Sequence, residues 1–328
     1  MAERFLVTGS TGCIGAWVVR NLVRDGTYTC ALVRSGSLHR LKLIMSDREL
    51  SAIDFVGGDI IDLEVIERIL KEHKITHIIH LAAMQFPFCK ADPTLGAMVN
   101  VGGTVNVFEA ACRHGIRHVV YASSTAVYGT AEEYPEGPLP HDAPLRPRSH
   151  YGVYKQANEG TARIYWMDNG ISSIGIRPYV VYGPGRDQGM TSTPTKAMLA
   201  AAAGRPYRIS YGGRFGFQYA DDTARAYIDA ARVDFKGAGV FNLGGETVSM
   251  QDVVGAIEKA SPSSKGSITF DDVPLPFPAE IDNAPLVKVL GTLHMTPLVK
   301  GVADTIKVFG EALAEGRIMA ADLSSLLR

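Results

Sequence analysis

The sequence predicts an α/β protein built on a doubly wound parallel sheet, and two observations predict this fold class. Short apolar runs alternate with helix-like patterns from residue 4 to about residue 180, which leaves room for a crossover helix between successive parallel strands. A glycine-rich turn follows the first apolar run and begins a helical pattern. Because ligands of such sheets bind beyond the carboxyl ends of the strands, we expect the functional site there.

Length and composition are those of an ordinary globular protein. The 328 residues leave room for one large domain or two smaller ones, and 46% hydrophobic and 20% charged residues suit a sizeable core. A net charge of −1 indicates no nucleic-acid-binding surface. We also expect no signal peptide and no membrane-spanning segment, because the sequence starts on a strand pattern and has no apolar run of that length.

The four cysteines, Cys13, Cys30, Cys89 and Cys112, are scattered along the chain. Their spacing is not that of a metal site, so no metal is expected. Free cysteines in apolar patterns favour a reducing compartment, and we therefore predict a cytoplasmic protein.

The first strand pattern, residues 4–7, runs into a turn with glycines at G-x-x-G-x-x-G spacing. Glycines let the backbone approach a diphosphate, which the following helix N-terminus binds. The spacing differs from the G-x-G-x-x-G fingerprint, but the flanking strand and helix make a nucleotide site more plausible than a structural turn. We expect cofactor contacts throughout this turn, from Gly9, Thr11, Gly12, Cys13, Ile14 and Gly15.

The second strand pattern, residues 29–33, ends beside Arg34. NAD enzymes commonly have an acidic residue at this position to bind the adenosine ribose, but here the position holds Val33. An arginine with neighbouring serines, Ser35 and Ser37, suits a 2′-phosphate, so NADP is favoured and NAD is possible. The alternative is that Arg34 is a solvated loop charge.

The alternation continues with strand patterns at 53–56, 76–81 and 117–123 and helical patterns at 62–73 and 97–112. Asp59 follows the first of these strands and could accept a hydrogen bond from the adenine amine, although an aspartate there is more often a helix cap. Ala82 and Ala83 follow the second strand, and such small residues would let a ring lie against the backbone.

A strand-end serine, Tyr151 and Lys155 carry the predicted chemistry. The strand at 117–123 ends in the run Ser123-Ser124-Thr125, where a serine can hydrogen-bond a substrate oxygen. Tyr151 and Lys155 are four residues apart and share a helix face. An ammonium there would lower the pKa of the phenol and allow proton exchange with an alcohol or carbonyl. The glycine turn, the serine strand end and the Tyr151/Lys155 pair are each common in structural roles. Because all three occur together, we predict a catalytic site.

With these features the sequence resembles the extended short-chain dehydrogenase/reductase family, the NAD(P)-dependent epimerase/dehydratase group. The resemblance covers most of the chain and is loose over the last eighty or so residues. The matching segments are Thr8-Gly-Ser-Thr-Gly-Cys-Ile-Gly15, His80-Leu-Ala-Ala83, Asn100-Val-Gly-Gly-Thr104, Ser123-Ser-Thr-Ala-Val-Tyr-Gly129, Tyr151-Gly-Val-Tyr-Lys155, Arg177-Pro-Tyr-Val-Val-Tyr-Gly-Pro184 and Tyr219-Ala-Asp-Asp222.

The resemblance implies a role for each matching residue. Tyr151 is the acid/base, Lys155 tunes it and holds the nicotinamide ribose, and Ser124 polarises the substrate. Further cofactor contacts are expected from Arg34, Asp59, Ile60, Leu81, Ala82, Ala83, Asn100, Pro178 and Val181, and substrate contacts from Met84, Gln85, Phe86, Thr125 and Tyr179.

The resemblance also implies domain organisation and assembly. The dinucleotide-binding Rossmann domain would comprise residues 1–178 and 216–244, and a smaller, discontinuous substrate domain residues 179–215 and 245–328. A homodimer is expected through helices at 97–112 and 152–166. In the second half we predict a polar lid at 187–194, a linker at 261–264, an extended segment at 274–278 and helices at 286–290 and 302–309.

At several positions the sequence departs from the family's patterns, and these positions bear on which substrate is bound. The acid–base pair of sugar-nucleotide dehydratases is replaced by Thr125 and Ala126, so dehydration by that route is not expected. An asparagine and an arginine typical of nucleotide-sugar epimerases are replaced by Val180 and Phe215, with Arg214 one residue off. Two phenylalanines in the segment 84–88 also indicate an apolar substrate site.

The predicted function is therefore an NAD(P)-dependent oxidoreductase that interconverts a secondary alcohol and a ketone on a small, non-nucleotide substrate. The alternative is a nucleotide-sugar epimerase that oxidises its substrate transiently with retained NAD. A non-enzymatic NADP sensor is disfavoured, because a sensor has no use for the Ser124, Tyr151 and Lys155 combination.

Overall fold

A computed structural model describes residues 2–34 and 37–327 of the chain. The strands are β1 (Arg4–Thr8), β2 (Tyr28–Val33), β3 (Asp54–Gly57), β4 (His77–His80), β5 (His118–Ala122), β6 (Ser172–Pro178), β7 (Val180–Tyr182), β8 (Tyr207–Ile209), β9 (Arg214–Tyr219), β10 (Ala238–Leu243), β11 (Glu246–Ser249) and β12 (Ile268–Phe270). The centre is a seven-stranded parallel sheet in the order β3-β2-β1-β4-β5-β6-β10, which confirms the predicted doubly wound sheet. Two small sheets follow the orders β11-β9-β7 and β12-β8.

Helices cover both faces of the large sheet. They are α1 (Cys13–Arg24), α2 (His39–Ile44), α3 (Asp47–Leu50), α4 (Leu63–Glu72), α5 (Phe86–Ala91), α6 (Pro93–Ala97), α7 (Gly103–Arg113), α8 (His150–Asn169), α9 (Thr193–Ala202), α10 (Ala220–Arg232), α11 (Met250–Ala260), α12 (Ala284–Leu290), α13 (Leu298–Ala314) and α14 (Leu323–Leu326). None of the helices in the described ranges is long and apolar enough to cross a membrane.

The first strand and helix form as the sequence pattern predicts. Phe5, Leu6 and Val7 of β1 are fully buried because the central strand has helices on both faces. One side of α1 packs on the sheet and against α10. The order of the strands reverses between β1 and β4, which is the switch point where such sheets bind ligands.

The helix expected at 97–112 is interrupted. A π-helical turn, Met98–Gly102, separates α6 from α7. Such turns open the regular hydrogen-bond pattern of a helix and often occur at functional sites. Here the turn contains Asn100, which is 1% exposed.

Several predicted segments differ in detail. The segment 84–88 contains the start of a short helix, α5, with Pro87 in its first turn. Proline lacks a backbone N–H, and at this position an N–H would have no partner within the helix. The predicted lid ends earlier than expected, because Thr193 begins α9. The linker expected at 261–264 is a packed 3₁₀ turn, Pro262–Ser264, with Ser264 buried.

The two small sheets occupy the segments expected for a substrate domain, with one exception. Strand β9 extends into the segment 216–244, yet it pairs with β7 and β11 of a small sheet. The helix that follows, α10, returns to the large sheet and packs against α1 and β5. The division into domains stays a prediction.

The outer surface of α8 carries exposed apolar side chains, including Val153, Ile164 and Met167. Exposed Met98 lies on the neighbouring π-helical turn, which packs against α8. This surface contains the helices through which the family resemblance implies a dimer, and the dimer stays a prediction.

Candidate active site

A cleft of about 1190 Å³ lies at the carboxyl ends of the central strands. Of the site residues predicted from the sequence, all except Asn100 line it within the described ranges. The cleft runs from Arg34 past the glycine turn to Tyr151, and on to Arg148 and Phe277. Its volume exceeds the range of roughly 300–1,000 Å³ that suits one small ligand, so it can hold a dinucleotide and a second molecule.

The glycine turn brings backbone atoms close together. Gly9 has φ +68°, and a Cβ on it would lie 2.6 Å from Ala82 N. A Cβ on Gly15 would overlap the Gly9 carbonyl oxygen, so a side chain there would push α1 away from β1. The N-cap of α1 is Gly12, which supplies no capping side chain, and the first turn contains no acidic residue. These free N–H groups and the open backbone fit the diphosphate of a dinucleotide.

At the adenosine end of the cleft, Arg34 is exposed and Asp59 is half-buried. Asp59 Oδ1 accepts a hydrogen bond from the Ile61 N–H at 3.2 Å. The cap of α4 is Asp62 instead, which accepts from two N–H groups in the first turn. Asp59 is therefore not the helix cap and has acceptor capacity left for a ligand. Of the two serines of the predicted 2′-phosphate site, Ser37 Oγ accepts from the His39 N–H at 3.1 Å, and Ser35 lies outside the described residues.

Hydrogen bonds fix two successive residues at the end of β5, Ala122 and Ser123. Lys155 Nζ donates to Ala122 O at 2.6 Å, and the Ser123 N–H donates to Ile176 O at 2.8 Å. Ser123 Oγ donates to Glu159 Oε1 at 2.5 Å. Successive side chains of an extended segment point to opposite sides, so fixing Ser123 inward directs Ser124 to the cleft.

The Tyr151 side chain lies beside Ser124, in the first turn of α8, which Ser149 caps. Burial raises the pKa of the Tyr151 phenol above its ordinary value of 10.0, whereas a hydrogen bond from Ser124 and the charge of Arg186 lower it. Lys155 Nζ lies 5.7 Å from the centre of the Tyr151 ring. Burial is the largest influence, and the groups that lower the Tyr151 pKa are Ser124 and Arg186, not Lys155 as the sequence suggested.

Lys155 is itself almost fully buried, with 3% of its surface exposed. Burial lowers the pKa of its ammonium from 10.5 to about 8, against the opposing charges of Cys89 and Glu159. At neutral pH the ammonium is still the major form. Its position one turn before Glu159 places both side chains against the strand end.

A buried hydrogen-bonded network supports this strand end from behind. Arg177 Nε and Nη2 donate to the two oxygens of Glu159, both at 2.7 Å, and the two side chains are 4% and 7% exposed. Arg177 Nη1 also donates to Tyr128 OH at 2.5 Å, and Tyr128 OH donates to Asn242 Oδ1 at 2.7 Å. The network joins α8, β6 and β10, so Ser123 is attached to both a helix and two neighbouring strands of the sheet.

Asn100 does not line the cleft, and its predicted contact with the cofactor stays a prediction. Its Oδ1 accepts from the Met84 N–H at 2.7 Å, and its Nδ2 donates to Met84 O at 3.0 Å. Nδ2 also approaches Cys89 Sγ at 3.4 Å. Asn100 therefore fixes the backbone that carries Met84 and Gln85 to the cleft. The sequence indicates an asparagine near the site and does not reveal which group it binds.

The substrate side of the cleft is partly apolar. Phe86 and Phe88 are 39% and 47% exposed and both face the cleft, so they are not core residues. Val180 lines the cleft although it is almost completely buried. Phe215 is fully buried among aromatic residues, and Arg214 lies beside Glu280, 3.6 Å away and outside the cleft.

Two other predicted substrate residues use their hydroxyls internally. Thr125 Oγ1 donates to Pro178 O at 3.3 Å, and Tyr179 OH donates to Pro278 O at 2.7 Å. Both residues line the cleft, but these hydroxyls are engaged with the protein backbone. We infer that Thr125 and Tyr179 shape the cleft more than they bind a polar ligand group.

Sequence reasoning missed three cations of the cleft: Arg40, Arg148 and Arg186. Arg40 is paired with Asp187. Arg186 Nη2 donates to Thr191 Oγ1 at 2.9 Å, and its buried Nε has no hydrogen-bond partner in the part of the chain that the structure describes. No local sequence signal singles out Arg186, since an arginine in a polar, glycine-bearing loop is ordinarily solvated.

Comparisons with known proteins agree on family and fold. The model of the NAD dependent epimerase/dehydratase family matches residues 5–244. UDP-glucose 4-epimerase of Mycolicibacterium smegmatis is 32% identical over 325 residues, which cover 93% of this chain and 98% of that enzyme. The crystal structure of UDP-glucose 4-epimerase from Thermus thermophilus in complex with NAD has a TM-score of 0.78 and 26% identity, covering 95% of this chain and 100% of that one. MoeE5 in complex with UDP-glucuronic acid and NAD has a TM-score of 0.77 and 28% identity, covering 95% and 100%.

Proposed function

The chain belongs to the NAD-dependent epimerase/dehydratase family, and from this premise we propose that it is a nucleotide-sugar epimerase with retained NAD. The observation that carries the proposal is Arg186 in the cleft. Its charge reaches Tyr151, and its buried Nε is unpaired within the described residues. A cation beside the reacting centre suits an anionic substrate better than the small apolar substrate that the sequence suggested. The nucleotide-sugar names of the relatives support the same choice.

The chain's own residues can perform the required proton transfer. When bound, NAD would accept a hydride from the sugar and return it. Tyr151 would take the proton of the reacting hydroxyl and later give it back, while Ser124 holds that oxygen. The buried phenol is a stronger base once ionised, and the Ser124 hydrogen bond and the Arg186 charge favour its ionisation.

The proposal is tested by incubating purified protein, without added cofactor, with UDP-glucose or UDP-glucuronate and detecting the 4-epimers by NMR. We expect epimerisation and NAD released on denaturation. We also expect Arg186→Met to lower kcat/KM for UDP-glucuronate about ten- to a hundredfold, because a charge-assisted hydrogen bond contributes roughly 1.5–3 kcal/mol. UDP-glucose, which lacks the carboxylate, is the matched comparison: it should lose only the part that comes from the Arg186 charge on Tyr151, so its kcat/KM should fall clearly less than that of UDP-glucuronate.

A second candidate is the oxidoreductase acting on a small, non-nucleotide alcohol. The exposure of Phe86 and Phe88 to the cleft favours it, because two aromatic side chains offer an apolar wall. Absence of either 4-epimer, together with reduction of added NAD or NADP by simple secondary alcohols, would contradict the epimerase proposal and support this one.

For the cofactor we propose NAD. The related structures contain NAD, and the NADP preference suggested by Arg34 has no support beyond the position of that residue. We expect the dissociation constant of NAD to be equal to or lower than that of NADP, and Arg34→Ala to change their ratio less than about threefold. Isothermal titration of the cofactor-free protein measures both constants. A tenfold preference for NADP that Arg34→Ala abolishes would restore the original prediction.

A further inference from the structure

The Asp187 carboxylate fastens the loop 183–192 to the start of α2. Arg40 Nη2 lies 2.6 Å from Asp187 Oδ1, and Arg40 Nε lies 3.0 Å and 3.1 Å from the two oxygens. His39 Nε2 lies 2.8 Å from Asp187 Oδ2. We name these three residues, Asp187, Arg40 and His39, the clasp. A forked arginine–carboxylate contact of this kind is strong and geometrically specific.

The clasp is attached to the glycine turn. Arg40 Nη1 donates to Thr11 O at 3.0 Å, so one guanidinium holds both the loop and the turn. The charges of Arg40 and Asp187 both reach Cys13, the first residue of α1. The clasp therefore lies at the place where the diphosphate of a dinucleotide fits.

The loop is held at a second point. Trp17 Nε1 of α1 donates to Pro184 O at 2.9 Å. The side chains of Arg40 and Asp187 are 14% and 25% exposed, which makes their contact less sensitive to solvent screening than a surface ion pair. Because Asp187 already neutralises Arg40, this arginine is better placed to fasten the loop than to attract an anion.

We propose that the clasp closes the loop 183–192 over the bound dinucleotide and makes its release slow. The proposal deepens the proposed function and rests on it, since an epimerase that returns the hydride to its own substrate benefits from a cofactor that stays bound. A dehydrogenase, by contrast, must exchange its cofactor in every turnover. The clasp is thus a binding determinant made of residues outside the glycine turn and the Ser124, Tyr151 and Lys155 group.

The test measures NADH dissociation from the full-length protein by stopped-flow fluorescence, with excess NAD as the competing ligand. We expect Asp187→Asn to accelerate dissociation about ten- to a hundredfold, which corresponds to loss of one charge-assisted contact. Arg40→Gln should accelerate dissociation at least as much, because it also removes the hydrogen bond to Thr11 O, and the double variant should differ little from Arg40→Gln alone because the Arg40–Asp187 contact is already lost there. Asp304→Asn, which removes an exposed ion pair with Lys300 on α13, is the matched control and should change the rate less than twofold.

Circular dichroism and thermal unfolding of each variant establish that the fold is kept. If Asp187→Asn and Arg40→Gln both release NADH within about threefold of the wild-type rate, the clasp proposal is overturned, whatever the substrate is. If the variants release NADH faster but neither UDP-sugar is epimerised, the clasp is supported and the proposed function fails. A wild-type protein that binds no NADH would overturn both.

Discussion

Replacing Tyr151 with phenylalanine is expected to lower turnover about a thousandfold while the dissociation constant of NAD changes less than about threefold. The substitution removes a single hydroxyl in the first turn of α8, beside Ser124. A positioned acid/base group contributes about a hundred- to ten-thousandfold to a rate. Tyr179, the other tyrosine that lines the cleft within the described residues, donates its hydroxyl to Pro278 O and so cannot substitute. The readout is the rate of formation of the 4-epimer at saturating UDP-sugar.

Tyr154→Phe is the matched control for this experiment. Tyr154 lies on the same helix, and its hydroxyl donates to Pro93 O at 2.8 Å, outside the reacting centre. We expect this variant to keep at least half of the wild-type turnover. A Tyr151→Phe protein that retains more than a tenth of the turnover would show that Tyr151 is not the proton carrier.

The second large effect is expected on stability, from Glu159→Gln. This change leaves the Arg177 guanidinium buried with its charge uncompensated, because Glu159 occupies two of its nitrogens. Breaking a buried ion pair from one side costs about 3–5 kcal/mol. Urea unfolding followed by circular dichroism should show a loss of this size in the free energy of unfolding.

The control is Glu311→Gln on α13, where the partner, Lys307, and the glutamate are both exposed. Such pairs contribute at most about 1 kcal/mol. The double variant Glu159→Leu/Arg177→Met should be less destabilised than Glu159→Gln, because neither charge of the pair is left buried. A Glu159→Gln protein as stable as the wild type would contradict this account of the network.

The parts of the fold that depend on local pattern could be predicted from sequence. An apolar run followed by a glycine turn and a one-sided helix is confirmed as β1 and α1 because neighbours in sequence decide it. The short helix α5 was missed, although its early Pro87 is a recognised helix-start signal. The two phenylalanines of this segment predict an apolar surface, and they do not by themselves indicate a helix.

The parts that depend on distant contacts could not be predicted. Asn100 carries the expected residue type, but its partner is the Met84 backbone sixteen residues earlier in a segment whose path the sequence does not reveal. Arg40 and Asp187 are 147 residues apart, and each looks like an ordinary loop or surface charge by itself. Their contact exists only because the sheet brings the ends of two distant segments to the same edge.

The packing of α1 has a consequence for the order in which the chain folds during synthesis. Trp17 donates to Pro184 O and packs edge-on against Tyr219, while Asn21 donates to Asp221. At about 5–20 residues per second, the ribosome supplies these partners roughly 10–40 seconds after the helix itself. Strand β10 arrives later still and covers the open edge of β6. The nascent chain therefore exposes the Trp17 face of α1 for more than half of its synthesis, and the edge of β6 from the completion of that strand until β10 is made. Association with chaperones in this period would protect it from aggregation.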